Sequence, residues 1–87
     1  MGTDDLDDLS GIPRYLQIGA IVAREIREGL WASGKRAPSR TDLMQRFGVA
    51  GETARRAQAW LTTQGYLVTV PGVGMVVTPP DRWPAEA

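Results

Sequence analysis

Apolar positions along the chain keep a helical period through three successive runs and then switch to the period of a strand. Tyr15, Ile18, Ile21, Val22 and Ile26 recur at spacings of three and four, which aligns them on one stripe of a helix. The helix is expected to open at Arg14, after Pro13, and to close at Gly29. Gly19 sits inside it. A glycine there either weakens the helix by about 1 kcal/mol relative to alanine or admits close packing by another helix, and the spacing alone leaves both open. Residues 30–37 read as an irregular connector, with Trp31 as a lid on the apolar stripe rather than a base-stacking group.

Residues 38–65 read PSRTDLMQRFGVAGETARRAQAWLTTQG, two helices joined by a tight turn. Ser39 is a good N-cap, and Asp42 three residues on makes a short-armed capping box. Leu43, Met44 and Phe47 share one face. Gly48 falls where a helix stops in positive φ, and Val49 is placed to plug the corner. A further helix is expected over about residues 51–64, ended by Gly65. Its inward face is Ala54, Ala57 and Leu61; its outward face is Glu52, Arg55, Arg56 and Ala59. Beyond it, residues 66–70 and 75–78 are rich in β-branched residues and are separated by Pro71-Gly72-Val73-Gly74, the mark of a hairpin with a glycine-rich tip. The predicted fold is mainly α with a small β-hairpin, a winged helix-turn-helix. The predicted organisation is a disordered acidic tail over residues 1–12, one domain over 13–79, and a short tail over 80–87 in which Trp83 folds back or meets a partner.

Eighty-seven residues suffice for one small domain with a modest core. The chain has neither cysteine nor histidine. Disulfides, thiolate metal sites and the commonest general base are thereby excluded, and the reading is a non-enzyme without metal or cofactor. No apolar run reaches membrane-spanning length and no signal peptide is visible, so a cytoplasmic location is expected. The net charge of zero conceals a division. Residues 1–10 hold four aspartates and no base; residues 11–80 hold nine bases against four acids. A basic body suits a polyanion, and an acidic end can compete with it. Two adjacent arginines, Arg55 and Arg56, lie on the outward face of a helix braced by small residues, as a DNA groove and its phosphates require. Glu52 beside them can accept from cytosine N4 or simply face water. Arg14, Lys35, Arg36 and Arg40 are further candidates for phosphate. Gly72 and Gly74 do not make a nucleotide loop, because no helix follows them.

These residues, in this order, resemble the DNA-binding domain of the GntR family of bacterial transcription regulators. The resemblance rests on Pro13 through Ile18, Ile26, Gly29, Trp31, Gly34, Pro38-Ser39, Leu43, Phe47-Gly48-Val49, Thr53, Arg55, Ala57, Leu61, Gly65, Gly72-x-Gly74 and Val77. It implies that the helix near residues 51–64 enters the major groove, with the hairpin over 66–78 beside it. It implies a base or phosphate contact for Arg55, an approach to DNA by Thr53, phosphate contacts by Ser39 and Thr41, and a close approach of the Gly72 backbone to the minor groove.

Two departures matter. Arg40 stands where the family usually has glutamate, and Ala50-Gly51 stands where it usually has Ser-Arg. Losing a serine N-cap costs about 1 kcal/mol, and losing the arginine removes a candidate base contact, so the family's operator preferences do not carry over. The family's usual effector domain has no counterpart in the few residues after the hairpin, so no small-molecule effector is expected. The chain then reads as a stand-alone DNA-binding regulator, or as a fragment or subunit of a ligand-responsive one. The rival reading is a winged-helix adaptor for proteins. A dimer on repeated half-sites is compatible with the sequence, with Trp83, Trp60 or the isoleucine stripe as its contact. The alternative for Trp60 is partial burial against the hairpin.

Overall fold

A computed structural model of the chain describes residues 6–85. Helices α1 (Arg14–Arg27), α2 (Arg40–Phe47) and α3 (Gly51–Gln64) precede an antiparallel hairpin of β1 (Leu67–Val70) and β2 (Gly74–Val77), and a short 3-10 turn spans Pro80–Arg82. The winged helix-turn-helix architecture is as expected.

The core forms where the apolar stripes meet. Ile18, Val22 and Ile26 of α1 lie against Ala54, Ala57 and Leu61 of α3, with Leu43 and Phe47 of α2 and Val49 of the corner closing one side. Leu67 and Val77, paired across the hairpin, anchor the wing in the same core. The isoleucine stripe is therefore consumed inside the molecule, apart from the half-buried Ile21.

Gly19 settles into the second of its two readings. A Cβ on it would lie 2.4 Å from the Trp60 ring of α3, so the indole occupies the space a side chain would take. Trp60 thus packs on α1. Gly48 and Gly65 end α2 and α3 in the left-handed region, at φ 67° and 99°. At Gly65 a Cβ would also meet the Arg82 carbonyl at 2.3 Å, because the segment after the wing returns across the end of α3.

The connector is more ordered than its composition indicates. Gly34 N–H donates to Val77 O, Val77 N–H to Lys35 O, and Ala37 N–H to Met75 O. Arg36 therefore pairs with Val76 as a one-residue third strand. Trp31 is half-buried and donates its indole N–H to Glu25 at 2.9 Å, as a lid on α1.

The chain ends differ from solvated tails where they are described. The Gln17 side chain accepts from Asp7 N–H and donates to the carbonyls of Asp7 and Ile12, and Leu6 packs against the core. Residues 1–5, the rest of the expected acidic tail, lie outside the described residues. Past the wing, Trp83 stacks at 5.9 Å from Tyr66 and donates to Thr78. The Arg27 guanidinium lies over both rings and donates to Tyr66 Oη and the Pro84 carbonyl. The packed unit thus runs past residue 79. Among the described residues, no helix is long and apolar enough to cross a membrane.

Gly19→Ala tests the α1–α3 contact. Overpacking costs about 1–3 kcal/mol, more than the roughly 1 kcal/mol of helix propensity gained. Urea denaturation is expected to show a net loss of stability in the wild-type background, and a gain once Trp60→Leu has vacated the site.

Candidate nucleic-acid interface

All but one of the residues singled out from the sequence lie on three pieces of backbone that the fold brings side by side; Arg14, at the start of α1, is the exception. The first piece is the start of α2. Ser39 caps it: its hydroxyl accepts from Asp42 N–H at 3.0 Å, and its own N–H donates to Asp42 Oδ2 at 3.0 Å. Hydrogen bonds to the Asp42 carboxyl, from the Ser39 backbone N–H foremost and then from the Ser39 side chain, hold it below its ordinary value. With Ser39 fixed, Arg40 and Thr41 stand exposed on the first turn. The N-terminal end of a helix carries unpaired N–H groups and partial positive charge, and Arg40 adds a full one.

The second piece is α3. Gly51 is its first residue, and Ala50 before it provides no side-chain cap. Glu52, Arg55 and Arg56 are exposed on the outer face, and Thr53 is half-buried. The Gln58 side chain donates to the Pro38 carbonyl at 3.2 Å, which ties the middle of α3 to the entrance of α2. Gln58 was not singled out from the sequence, and no local signal marks it, because its partner is 20 residues away.

The third piece is the wing with its added edge. Arg36 lies in register with Val76, and its guanidinium lies 3.9 Å from where a Cβ of Gly74 would be. Lys35 precedes it, exposed. Gly72 sits at the tip with φ 81° and open space around it. Arg36, Lys35 and Arg40 make no ion pair among the described residues.

The other arginines divide by role. Arg46 pairs with Glu25 and lies over the Phe47 ring. It is mostly buried and braces α2 on α1, as Arg27 braces the segment after the wing. Arg14 is held by Asp8 in a two-point exposed pair, both bonds 2.9 Å, so the acidic end already occupies that candidate phosphate ligand. Tyr15 and Arg56 line one groove together with Trp60, which sets the start of α1 beside α3.

Arg55 and Arg56 share one partner. Glu52 accepts from Arg55 Nε at 2.9 Å and Nη2 at 2.7 Å, and from Arg56 Nε at 3.2 Å. The Arg55 bonds first, then the Arg56 bond, pull the Glu52 carboxyl down to about 2. All three side chains are more than half exposed, so water and salt screen the pairs. A polyanion can displace the carboxylate from its longer bond, the one to Arg56. The spacings i,i+3 and i,i+4 are legible in the sequence; the sharing of one carboxylate by both arginines is not.

Comparison with known proteins places this geometry. Residues 14–77 match the family described as "Bacterial regulatory proteins, gntR family". A histidine utilization repressor of Klebsiella aerogenes is 35% identical over 68 residues, covering 78% of this chain and 28% of that protein. The chain thus spans little more than a quarter of the length of such relatives. Among solved structures, the AraR DBD in complex with operator ORR3 is 33% identical, with a TM-score of 0.73 over 84% of this chain and 88% of that one. A GntR family transcriptional regulator from Listeria monocytogenes is 31% identical, with a TM-score of 0.77 over 88% of this chain and 66% of that one.

Two measurements check the local chemistry. Ala50 has the extended backbone of an N-cap, φ −72° and ψ 163°, so Ala50→Ser is expected to stabilise the domain by about 1 kcal/mol, read as a higher urea midpoint. The Glu52 carboxyl, followed by NMR, is expected to titrate near pH 2, and Arg55→Ala to move it back towards its ordinary 4.5. A depressed folded-state pKa stabilises above the unfolded value and is lost as pH falls through the folded one. The Glu52 pairs therefore contribute above about pH 4.5 and are lost towards pH 2.

Proposed function

The chain belongs to the gntR family of bacterial regulatory proteins, and from that premise we propose that it binds double-stranded operator DNA as the DNA-reading part of a cytoplasmic transcription regulator. In this reading α3 enters the major groove, with Arg55 at base edges and Arg56 on base or phosphate. Thr53 and the Gly51 end of α3 approach the backbone. Ser39, Arg40 and Thr41 take phosphate at the start of α2, while Arg36 and the Gly72 tip take the neighbouring groove. Arg14 joins them once Asp8 lets go. The observation that carries the reading is the likeness, over nearly the whole of both chains, to a domain crystallised on its operator. The exposed basic side chains supply the physical means.

Phosphate contacts set affinity and base contacts set preference. A single winged domain buries little surface, so the natural site is expected to hold repeated half-sites occupied by two copies. No catalytic step belongs to this function.

The test is binding to a random-sequence duplex pool, with selection of the preferred site. Affinity is expected to fall steeply with salt. Arg40→Ala should weaken all duplexes alike and flatten the log–log salt slope by about 1. Arg55→Ala should cost about 1–3 kcal/mol of discrimination at one base pair. Failure of the wild-type chain to bind any duplex at low salt overturns the reading.

A further inference from the structure

A carboxylate in the middle of a DNA-reading face is at first sight a disadvantage. It repels phosphate, and it sits within reach of the two arginines most useful for binding. One ordinary role does account for an acid at this place: Glu52 is the acidic residue of the first turn of α3, where it complements the helix dipole of a helix without a side-chain cap. That role does not require contact with Arg55.

The contact has a specific shape. Glu52 Oε1 takes the Arg55 Nε–H, and Oε2 takes one Nη2–H. A guanidinium carries five N–H groups in a planar fork. With the Nε edge engaged, the opposite edge, made of Nη1 and the second Nη2–H, stays open. Two parallel donors on one edge are what guanine O6 and N7 accept. Glu52 Oε2 also holds Arg56 Nε, so the carboxylate is fixed from both sides and in turn limits the torsional freedom of Arg55. An arginine side chain loses much rotamer freedom when it is held in one geometry, and part of that loss is incurred before DNA arrives.

We propose that Glu52 is a positioning residue for Arg55: it grips the Nε edge of the guanidinium and presents the Nη1/Nη2 edge to guanine, exchanging general affinity for a guanine requirement in each half-site. The inference rests on the DNA-binding reading above. The carboxylate stays ionised throughout the working pH range, since its pKa lies near 2. The Arg56 bond is the longer one, and Arg56 is the partner that phosphate can draw away.

The test measures two quantities for wild type, Glu52→Ala and Glu52→Gln: affinity for a random duplex pool, and preference at the selected guanine. Preference is read with the selected site against the same site carrying 7-deazaguanine at that position, which removes the N7 acceptor. Glu52→Ala is expected to bind the random pool several-fold more tightly at low salt. Its penalty for 7-deazaguanine should shrink by about tenfold relative to wild type. Glu52→Gln, which keeps the shape without the charge, should fall between the two. In the Arg55→Ala background, Glu52→Ala should leave the 7-deazaguanine penalty unchanged. A purely dipole-compensating glutamate would alter the thermal midpoint and leave the guanine preference intact, and that outcome overturns the proposal. Absence of duplex binding by the wild-type chain overturns the DNA-binding reading itself, so the two failures are distinct.

Discussion

The close seating of α3 on α1 governs the rest of the molecule. Ala54 and Ala57 bring the backbone of α3 near α1, and the missing Cβ of Gly19 makes room for Trp60. With the inner face of α3 fixed against α1, its opposite face is the one left to solvent. Its charged residues Glu52, Arg55 and Arg56 are exposed. Core packing at crystal-like density transmits any loosening of that contact, so the placement of Arg55 depends on an alanine face and a glycine that are themselves buried.

Around this axis the arginines separate by what they face. Arg46 and Arg27 lie against aromatic rings and carboxylate or carbonyl oxygens. They hold α2 to α1 and the returning chain to the wing. Arg36 and Arg40 are exposed and make no ion pair among the described residues. Arg14, Arg55 and Arg56 lie between these groups, each matched to a surface carboxylate. Exposed pairs of this kind are worth little to stability, so Asp8 on Arg14 and the single, longer Glu52–Arg56 bond can be exchanged at low cost when a polyanion arrives. The two-point Glu52–Arg55 pair is the one built to hold a geometry.

Much of this was legible from residue order. The three stripes, the Ser39–Asp42 box, the glycine stops at 48 and 65, and the hairpin all follow from local rules: side-chain period, cap chemistry and positive φ. The inward and outward faces of α3 follow from the same period. What escaped were contacts made by single residues across long separations. The Arg36–Val76 bridge leaves no periodic trace in one residue, and the Gln58–Pro38 bond has no local mark. The fold-back of residues 6–12 depends on one glutamine reaching backbone atoms five to ten residues away, which composition, dominated there by aspartate and glycine, hides.

The sequence by itself determined the elements and their apolar faces, because both arise from interactions within a few residues of chain. It also determined which side chains could meet a polyanion, through the basic body set against an acidic start. Only the tertiary structure decided whether Gly19 was a weakness or a seat, and it set Trp60 on α1. It alone showed which arginines are occupied and that one carboxylate holds both Arg55 and Arg56. Those outcomes turn on distances between surfaces that meet only after the chain has closed on itself, and no local period encodes them.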